Sequence, residues 1–217
     1  VRTRNDVHRF VKFLWTIYDG NPAWVPPLII DRKELIDRAK NPFYRHADAE
    51  FFIAEQNGTM VGRIGAIVNH RHNQEHQDKV GFFGFFECVN DREVAGVLVG
   101  AAAEFLRSHG MTSMRGPANP SVNDEYGMLL EGFDLPPMIL MPYNPPYYLD
   151  LMEACGFAKA RDLYAYELTQ QTVYTEKLKR VTRAVRERHR LNFRSIDLSK
   201  FHEEVERIKQ VYNAAWM

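Results

Sequence analysis

Three histidines and a glutamate lie close together in one polar segment of the sequence. His70, His72 and His76 accompany Glu75, and on a helix His72 and His76 would lie one turn apart, a spacing that suits zinc. The segment, residues 69–79, has no apolar periodicity, which is typical of a solvated loop. The sequence therefore favours a solvated loop and no metal site.

A second chemically rich segment is GPANPSVNDEYG at residues 116–127. Polar loops on a rigid sheet commonly carry recognition, so the segment is a candidate for ligand binding. Capping of turns would use the same residue types, and both interpretations stay open. The side chains concerned are Asn119, Ser121, Asn123, Asp124, Glu125 and Tyr126.

A strongly basic stretch lies at residues 175–190, with seven Lys or Arg against Glu176 and Glu187. It contains no interleaved aromatic residues, which single-stranded nucleic acid would favour. The pattern is typical of a linker helix solvated on one face, and it argues against nucleic acid as a partner.

The composition limits the setting in which the chain works. Lys plus Arg and Asp plus Glu both total 28, so no overall field attracts nucleic acid or a membrane. Cys88 and Cys155 lie among apolar neighbours and are too few for a disulfide framework, which indicates a reducing compartment. No apolar run approaches the roughly 20 residues that span a bilayer. We expect a cytoplasmic protein with no membrane contact, and a homodimer stays open.

Hydrophobic periodicity predicts the elements of the first half of the chain. We expect helices at 5–17, with Asn5 or Asp6 as N-cap, and at 30–39. A hairpin is expected within 50–69, around the turn Gln56-Asn57-Gly58. A strand at 80–89 is apolar on both faces, as in the middle of a covered sheet. Its glycines, Gly81 and Gly84, predict a bulge or the close approach of another backbone.

The second half continues the alternation. A helix at 91–109 would begin at Asn90 or Asp91 and end at Gly110. Further elements are expected as follows: strands at 113–119, 138–141, 162–168 and 191–198, a helix ending at Gly156, and helices at 175–190 and 199–216. This organisation predicts a first domain at 1–168, a linker helix at 169–190 and the start of an incomplete second domain at 191–217.

The predicted order of elements over residues 7–168 resembles the GNAT superfamily of N-acetyltransferases. The segment NPPYYLDLMEACGF, residues 144–157, is similar to the family's helix that starts after an Asn and closes with Gly-Phe. The phrases NPFY, GFFGFFE, GPANPSVNDEYG and MPYNPPYY resemble a bacterial branch of tandem-GNAT proteins. The resemblance implies an α/β (α+β) fold with a mixed, mostly antiparallel sheet flanked by helices. Two strands of that sheet would part just after Cys88, leaving a slot lined by unpaired main-chain groups.

The resemblance also implies a reaction, the transfer of an acetyl group from acetyl-CoA to the amine of a small molecule or peptide. Glu87 would be the base or part of a water relay, and Tyr147 or Tyr148 the acid that protonates the departing thiolate. Acceptor contacts would come from Asn123, Glu125 and Tyr126. Cofactor contacts would come from Cys88, Val89, Asn90, Arg92, Val94, Ala95, Asn119 and Asn144.

Two departures from the family pattern support alternative functions. The segment following Val89 is short, has one glycine, and would place Asp91 and Glu93 beside the diphosphate. Met152 stands where the family often has an acidic Tyr. These features favour a non-catalytic module that captures substrate or packs within a larger protein. A third alternative is an aminoacyl-donor transferase whose basic helix at 175–190 contacts RNA.

Overall fold

The computed structural model describes residues 1–169, 175–189 and 193–216. The chain divides into two compact units, Val1–Leu163 and Tyr164–Met217. The first unit contains the helices α1 (Arg4–Ile17), α2 (Ile29–Leu35), α3 (His70–His76), α4 (Arg92–Ser108) and α5 (Tyr148–Ala154), a 3-10 turn (Pro42–Arg45), and the strands β1 (Ala47–Gln56), β2 (Thr59–Asn69), β3 (Val80–Cys88), β4 (Ser113–Arg115), β5 (Ala118–Asn119) and β6 (Glu125–Tyr126).

The main sheet has the strand order β1-β2-β3-β4. Its first two pairings are antiparallel and the β3–β4 pairing is parallel, while β5 and β6 form a separate antiparallel pair. The predicted mixed, mostly antiparallel sheet flanked by helices is therefore confirmed. The order of elements through α5 is the GNAT-like order that the sequence resemblance implies.

Strand β3 is buried along its whole length, because helices cover both faces of the sheet. Phe83 and Phe86 pack with residues of α4 and α5 on one face. Phe82 and Phe85 pack with residues of α1 on the other face. The prediction from the doubly apolar sequence of this strand is confirmed.

A bulge interrupts the pairing of β2 with β3. The register shifts between Arg63 and Gly65, and Phe85 adopts a φ of 52°, a left-handed conformation that is uncommon for a bulky residue. At Gly84 an added Cβ would lie 1.7 Å from the carbonyl oxygen of Ala118. Another backbone therefore approaches this glycine closely, as the sequence predicts; at Gly81 the close neighbour is instead the side chain of Leu106.

The parallel ladder between β3 and β4 is short and ends at the pair Phe82–Arg115. The expectation that these strands part just after Cys88 is therefore wrong, since they part well before it. The separation coincides with the bulge, because the backbone of Ala118 and the side chain of Asn119 lie against β3 where a longer β4 would have continued.

Several predicted boundaries and elements differ in the structure. The N-cap of α1 is Thr3, whose hydroxyl accepts from the Asp6 amide while the Asp6 carboxylate closes the capping box, so Asp6 is the third residue of the helix rather than its cap. The predicted second helix is shorter, Ile29–Leu35. Residues 70–76 form a helix rather than a loop, because the Asn69 side chain accepts from the His72 amide and starts it.

Three predicted strands are not found in the described residues. Residues 138–141 form a turn between prolines, which cannot donate to a ladder. Residues 162–168 are exposed and pair with no strand in the described part of the chain. Of the predicted strand 191–198, positions 191 and 192 lie outside the described residues, and 193–197 form no ladder.

The second unit contains helices α6 (Glu176–His189) and α7 (Phe201–Trp216), with a 3-10 turn at Leu198–Lys200. The predicted basic helix is confirmed over its described part. Glu204 of α7 accepts from Arg194 at 2.8 Å and from Arg207 at 2.5 Å. No helix within the described ranges is long and apolar enough to cross a membrane. The three predicted domain segments stay predictions.

The packing at Gly84 yields a test of the bulge. We expect Gly84→Ala to lower the free energy of unfolding by about 3 kcal/mol or more, because the new methyl group meets rigid backbone. Gly96→Ala is the matched control: this exposed position on α4 has open space around it, and the change should stabilise the helix by up to about 1 kcal/mol. Urea unfolding of both variants measures the effects; equal stabilities for the two variants would contradict the packing described.

Candidate active site

The carboxylate of Glu87 lies buried near the end of β3, with 7% of the residue exposed. It accepts hydrogen bonds from the hydroxyls of Tyr18 at 3.0 Å and Tyr148 at 2.8 Å. The guanidinium of Arg63 lies 3.4 Å from the other carboxylate oxygen. A buried carboxylate in a ring of donors is a candidate reactive group.

Three separate elements deliver the donors to Glu87. Arg63 is its cross-strand partner on β2, anchored by a 2.6 Å hydrogen bond to the Phe10 carbonyl of α1. Tyr18 directly follows α1 and stacks on Trp24 with ring centroids 5.0 Å apart. Tyr148 opens α5. The cluster therefore forms only when sheet and helices have assembled.

Burial shifts the proton affinities of the cluster. Loss of solvent raises the pKa of the Glu87 carboxyl, although Arg63 and the two hydroxyls favour its charged form. Loss of solvent also raises the pKa of Tyr18 and, well above its ordinary value, that of Tyr148. A carboxylate with a raised pKa is a better base than an exposed one. The tyrosines are correspondingly weak acids, which favours a positioning role for Tyr148.

A cavity of about 80 Å³ adjoins the cluster and gathers half-buried and buried polar groups. Five of the residues predicted from the sequence line it, namely Glu87, Asn119, Glu125, Asn144 and Tyr148. Its wall also includes Tyr18, Trp24, Arg32, Arg63 and Tyr143, which sequence reasoning missed. Arg63 could have been identified from the sequence, because it is the one charged residue in the otherwise uncharged strand β2.

The predicted loop contributes to the cavity through Asn119 and Glu125. Asn119 accepts the Phe85 N–H at 2.5 Å, so its side chain secures the bulge. Glu125 forms an ion pair with Arg32, one hydrogen bond of which is 2.9 Å long. These contacts give both residues structural partners while they face the cavity.

The other predicted loop residues lie away from the cavity lining. Asn123 is exposed, and its backbone N–H donates to Ser121 Oγ at 3.2 Å, a turn-capping contact. Tyr126 packs against the core on the α1 side of the sheet. Their predicted contact with substrate stays a prediction.

The main-chain groups of Cys88 that face the gap beside β3 have partners. Its N–H donates to the Tyr148 hydroxyl at 2.9 Å, and its carbonyl accepts from the Tyr147 hydroxyl at 2.8 Å. The expectation of unpaired groups is therefore wrong at this residue. Burial raises the pKa of the Cys88 thiol and that of the Tyr147 hydroxyl to about 12, so neither is an easily ionised nucleophile or acid.

The start of α4 is already occupied by a carboxylate of this chain. Asp91 is the N-cap, and its side chain accepts from the amides of Glu93 at 2.8 Å and Val94 at 3.3 Å. Those are donors that a diphosphate would need, and the charges of Asp91 and Glu93 would repel it.

The remaining predicted cofactor contacts do not offset this. Val89 uses its N–H to bind the Val61 carbonyl at 3.0 Å, and Ala95 is buried in the core. Asn90 and Arg92 are exposed. The residues present do not fit the diphosphate of a CoA cofactor at this helix terminus.

The histidine segment is helical but does not form a metal centre in the described residues. His72 lies 3.6 Å from Asp78, and its ring centroid is 4.4 Å from that of His76. Among described residues, no group of three or more His, Cys, Asp or Glu is placed to hold a metal ion.

The side chain of Asn144, a predicted cofactor contact, has a structural partner. Its oxygen accepts the Leu129 N–H at 2.7 Å and so connects two distant parts of the same loop.

Comparisons with known proteins identify bacterial relatives. No protein-family model matches the chain. It is 33% identical over 214 residues to protein YghO of Escherichia coli K12, covering 98% of this chain and 54% of YghO. It is 35% identical over an alignment of 218 residues to a bacterial ceramide synthase of Caulobacter vibrioides, covering 100% of this chain and 56% of that protein. The chain thus spans about half the length of each relative.

Two solved structures also align with the chain. A putative acetyltransferase from Agrobacterium tumefaciens C58 has a TM-score of 0.42 and 12% identity, over 76% of this chain and 94% of the other. A probable acetyltransferase has a TM-score of 0.42 and 11% identity, over 77% and 93% of the two chains.

The occupied start of α4 predicts a negative binding result. Millimolar CoA should shift the melting temperature of this chain by less than about 1 °C, because the Asp91 carboxylate already accepts from the Glu93 and Val94 amides that a diphosphate would need. A ligand at a hundred times its dissociation constant would stabilise by about 2.7 kcal/mol, a shift of several degrees. Differential scanning fluorimetry with CoA, with buffer as control, makes the comparison, and a shift of that size would contradict the assignment.

Proposed function

We propose that this chain takes part in the transfer of an acyl group to an amine, with Glu87 as the general base. The observation that supports it is the buried Glu87 carboxylate, whose pKa is raised by loss of solvent and which faces a cavity. One relative is named a ceramide synthase. A ceramide is an N-acylated long-chain amino alcohol, so that name agrees with amide formation and makes a long-chain amine the best candidate acceptor.

The proposed chemistry begins with the amine in the cavity. Glu87 accepts a proton from the ammonium nitrogen, while Glu125 beside it stays paired with Arg32. The nitrogen lone pair then bonds to the acyl carbon, the bond from that carbon to its carrier breaks, and the nitrogen releases its second proton to solvent. The proton held by Glu87 leaves with the carrier or passes to solvent, which restores the base.

The neighbours of Glu87 have distinct parts in this proposal. Tyr18 and Tyr148 fix the carboxylate in one orientation through hydrogen bonds of 3.0 and 2.8 Å. Arg63 at 3.4 Å favours the ionised form, so that the base is not permanently protonated despite its burial. Removing either hydroxyl would leave the Glu87 carboxylate in place but free to adopt other orientations.

The donor must be an activated acyl group, most simply a thioester such as an acyl-CoA. Because the start of α4 does not fit the CoA diphosphate, no step here is routed through that cofactor, and a donor would reach Glu87 from another direction. The acetyl group implied by the sequence resemblance and a longer acyl chain are both compatible with this chemistry.

A second candidate is a non-catalytic module that captures the amine while another part of a longer protein carries out acyl transfer. The Asp91 cap that occupies the α4 amides favours this alternative. The aminoacyl-donor reaction with RNA contact by the basic helix stays a prediction with no structural observation in its favour, as do the cytoplasmic location and the homodimer.

Replacement of the base tests the proposal. Glu87→Gln keeps the size and much of the hydrogen bonding but removes the proton acceptor, so kcat should fall by about 10²- to 10⁴-fold. Acyl transfer to dodecylamine from the palmitoyl thioester of N-acetylcysteamine, an activated donor without a diphosphate, followed by mass spectrometry, measures the rate. Glu104→Gln, on the exposed side of α4, should retain the wild-type rate.

Two outcomes would count against catalysis by Glu87. Equal rates for wild type and Glu87→Gln would exclude it as the base. Absence of transfer by the wild-type chain, with amine binding retained, would favour the capture module instead.

A further inference from the structure

An ordered loop beside the cavity carries an unusual apolar surface. Its ends are joined by Asn144, which accepts the Leu129 N–H at 2.7 Å and donates to the Leu129 carbonyl at 3.4 Å. Within it, the Tyr143 hydroxyl donates to the Phe133 carbonyl at 2.7 Å. A loop closed in this way is a compact Ω-loop, a class that is frequently functional.

The tip of this loop exposes apolar side chains despite its fixed ends. Met138 is 73% exposed and Ile139 is 92% exposed, and Leu140 beside them is also exposed. Such side chains, exposed in one contiguous run, mark a binding surface more often than chance. We call Pro137–Met141 the apolar lip.

The apolar lip is continuous with the cavity that contains Glu87. Pro137 and Met141, its two end residues, line that cavity. From the segment between α1 and α2, Val25 and Pro27 line it as well, and Val25 is largely exposed. A charged, polar interior therefore opens onto an apolar rim, which is the pattern of a site for an amphiphile.

We infer that the apolar lip holds the alkyl chain of the amine acceptor while the amine enters the cavity. This inference rests on the proposed function and specifies where its substrate is selected. A cavity of about 80 Å³ holds a head group of a few atoms but not a chain of twelve carbons, most of which must then lie outside. The charges of Glu87 and Glu125 are balanced by Arg63 and Arg32, so the proposed base identifies the occupant: Glu87 takes its proton from the amine, whose nitrogen must therefore lie in the cavity.

The length of the alkyl chain should then determine how tightly the amine acceptor binds. Each methylene that leaves water on the apolar lip strengthens binding by up to about fourfold. A long-chain amine should therefore bind far more tightly than a short one, and the difference should depend on the side chains of the lip rather than on the cavity.

The test measures binding of hexylamine and dodecylamine to the full 217-residue chain by calorimetry, below the micelle concentration and without acyl donor. We expect dodecylamine to bind wild type at least about 100-fold more tightly, a fraction of the gain that six methylenes allow. In Met138→Ser/Ile139→Ser this ratio should fall at least about tenfold, because dodecylamine binding should weaken far more than hexylamine binding. Val97→Ser, at a 68% exposed site on α4, is the matched control and should keep the wild-type ratio.

Three outcomes would overturn the inference. The ratio of dodecylamine to hexylamine affinity could be near one in the wild type, or it could be the same in the double variant as in the wild type. Alternatively, light scattering could show a wild-type protein dimer that dissociates in the double variant. The last would make the apolar lip an interface between two copies. Failure of the proposed function is a separate result, because acyl transfer could be absent while the chain-length dependence of amine binding persists.

Discussion

The burial of one carboxylate, that of Glu87, is the constraint on which the rest of the site depends. An ionised carboxyl removed from water is costly unless donors surround it. Here Arg63 of β2, Tyr18 at the end of α1 and Tyr148 at the start of α5 supply those donors. The same contacts connect the sheet to helices on both of its faces, so the site and the core stabilise each other.

The bulge in β3 explains why a cavity lies beside this carboxylate. Where Phe85 turns into a left-handed conformation, β4 has already ended, and Asn119 takes over the Phe85 N–H. On the side of β3 away from β2, the sheet therefore lacks a neighbouring strand next to Glu87. The position of the missing strand is taken by Asn119, Glu125 and the loop that contains the apolar lip. Asn119 and Glu125 make the interior of the cavity polar, and the loop makes its rim apolar.

The sequence predicts the elements better than their contacts. Periodicity predicts α1, α4 and the sheet because each has an apolar pattern of its own, whereas residues 138–141 are apolar without being buried or paired. The family resemblance selects Glu87 and Tyr148 as site residues. Tyr18 is missed, because its hydrogen bond to Glu87 spans 69 positions and no local pattern reports so distant a partner. The amides of α4 were expected to bind a cofactor, but the chain's own Asp91 binds them.

The pH dependence of stability tests the state of Glu87 most directly. Its pKa is raised above the ordinary 4.5 in the folded protein, so its contribution to stability is complete below that pH and is lost as the pH rises through the folded-state pKa. Urea unfolding of wild type and Glu87→Gln from about pH 4 to about pH 8 gives the difference in unfolding free energy, in which other groups cancel. We predict that wild type loses stability relative to the variant with rising pH, by at most about 1.4 kcal/mol per pH unit. A difference that stays constant, or that grows in favour of wild type, would contradict a buried carboxylate with a raised pKa.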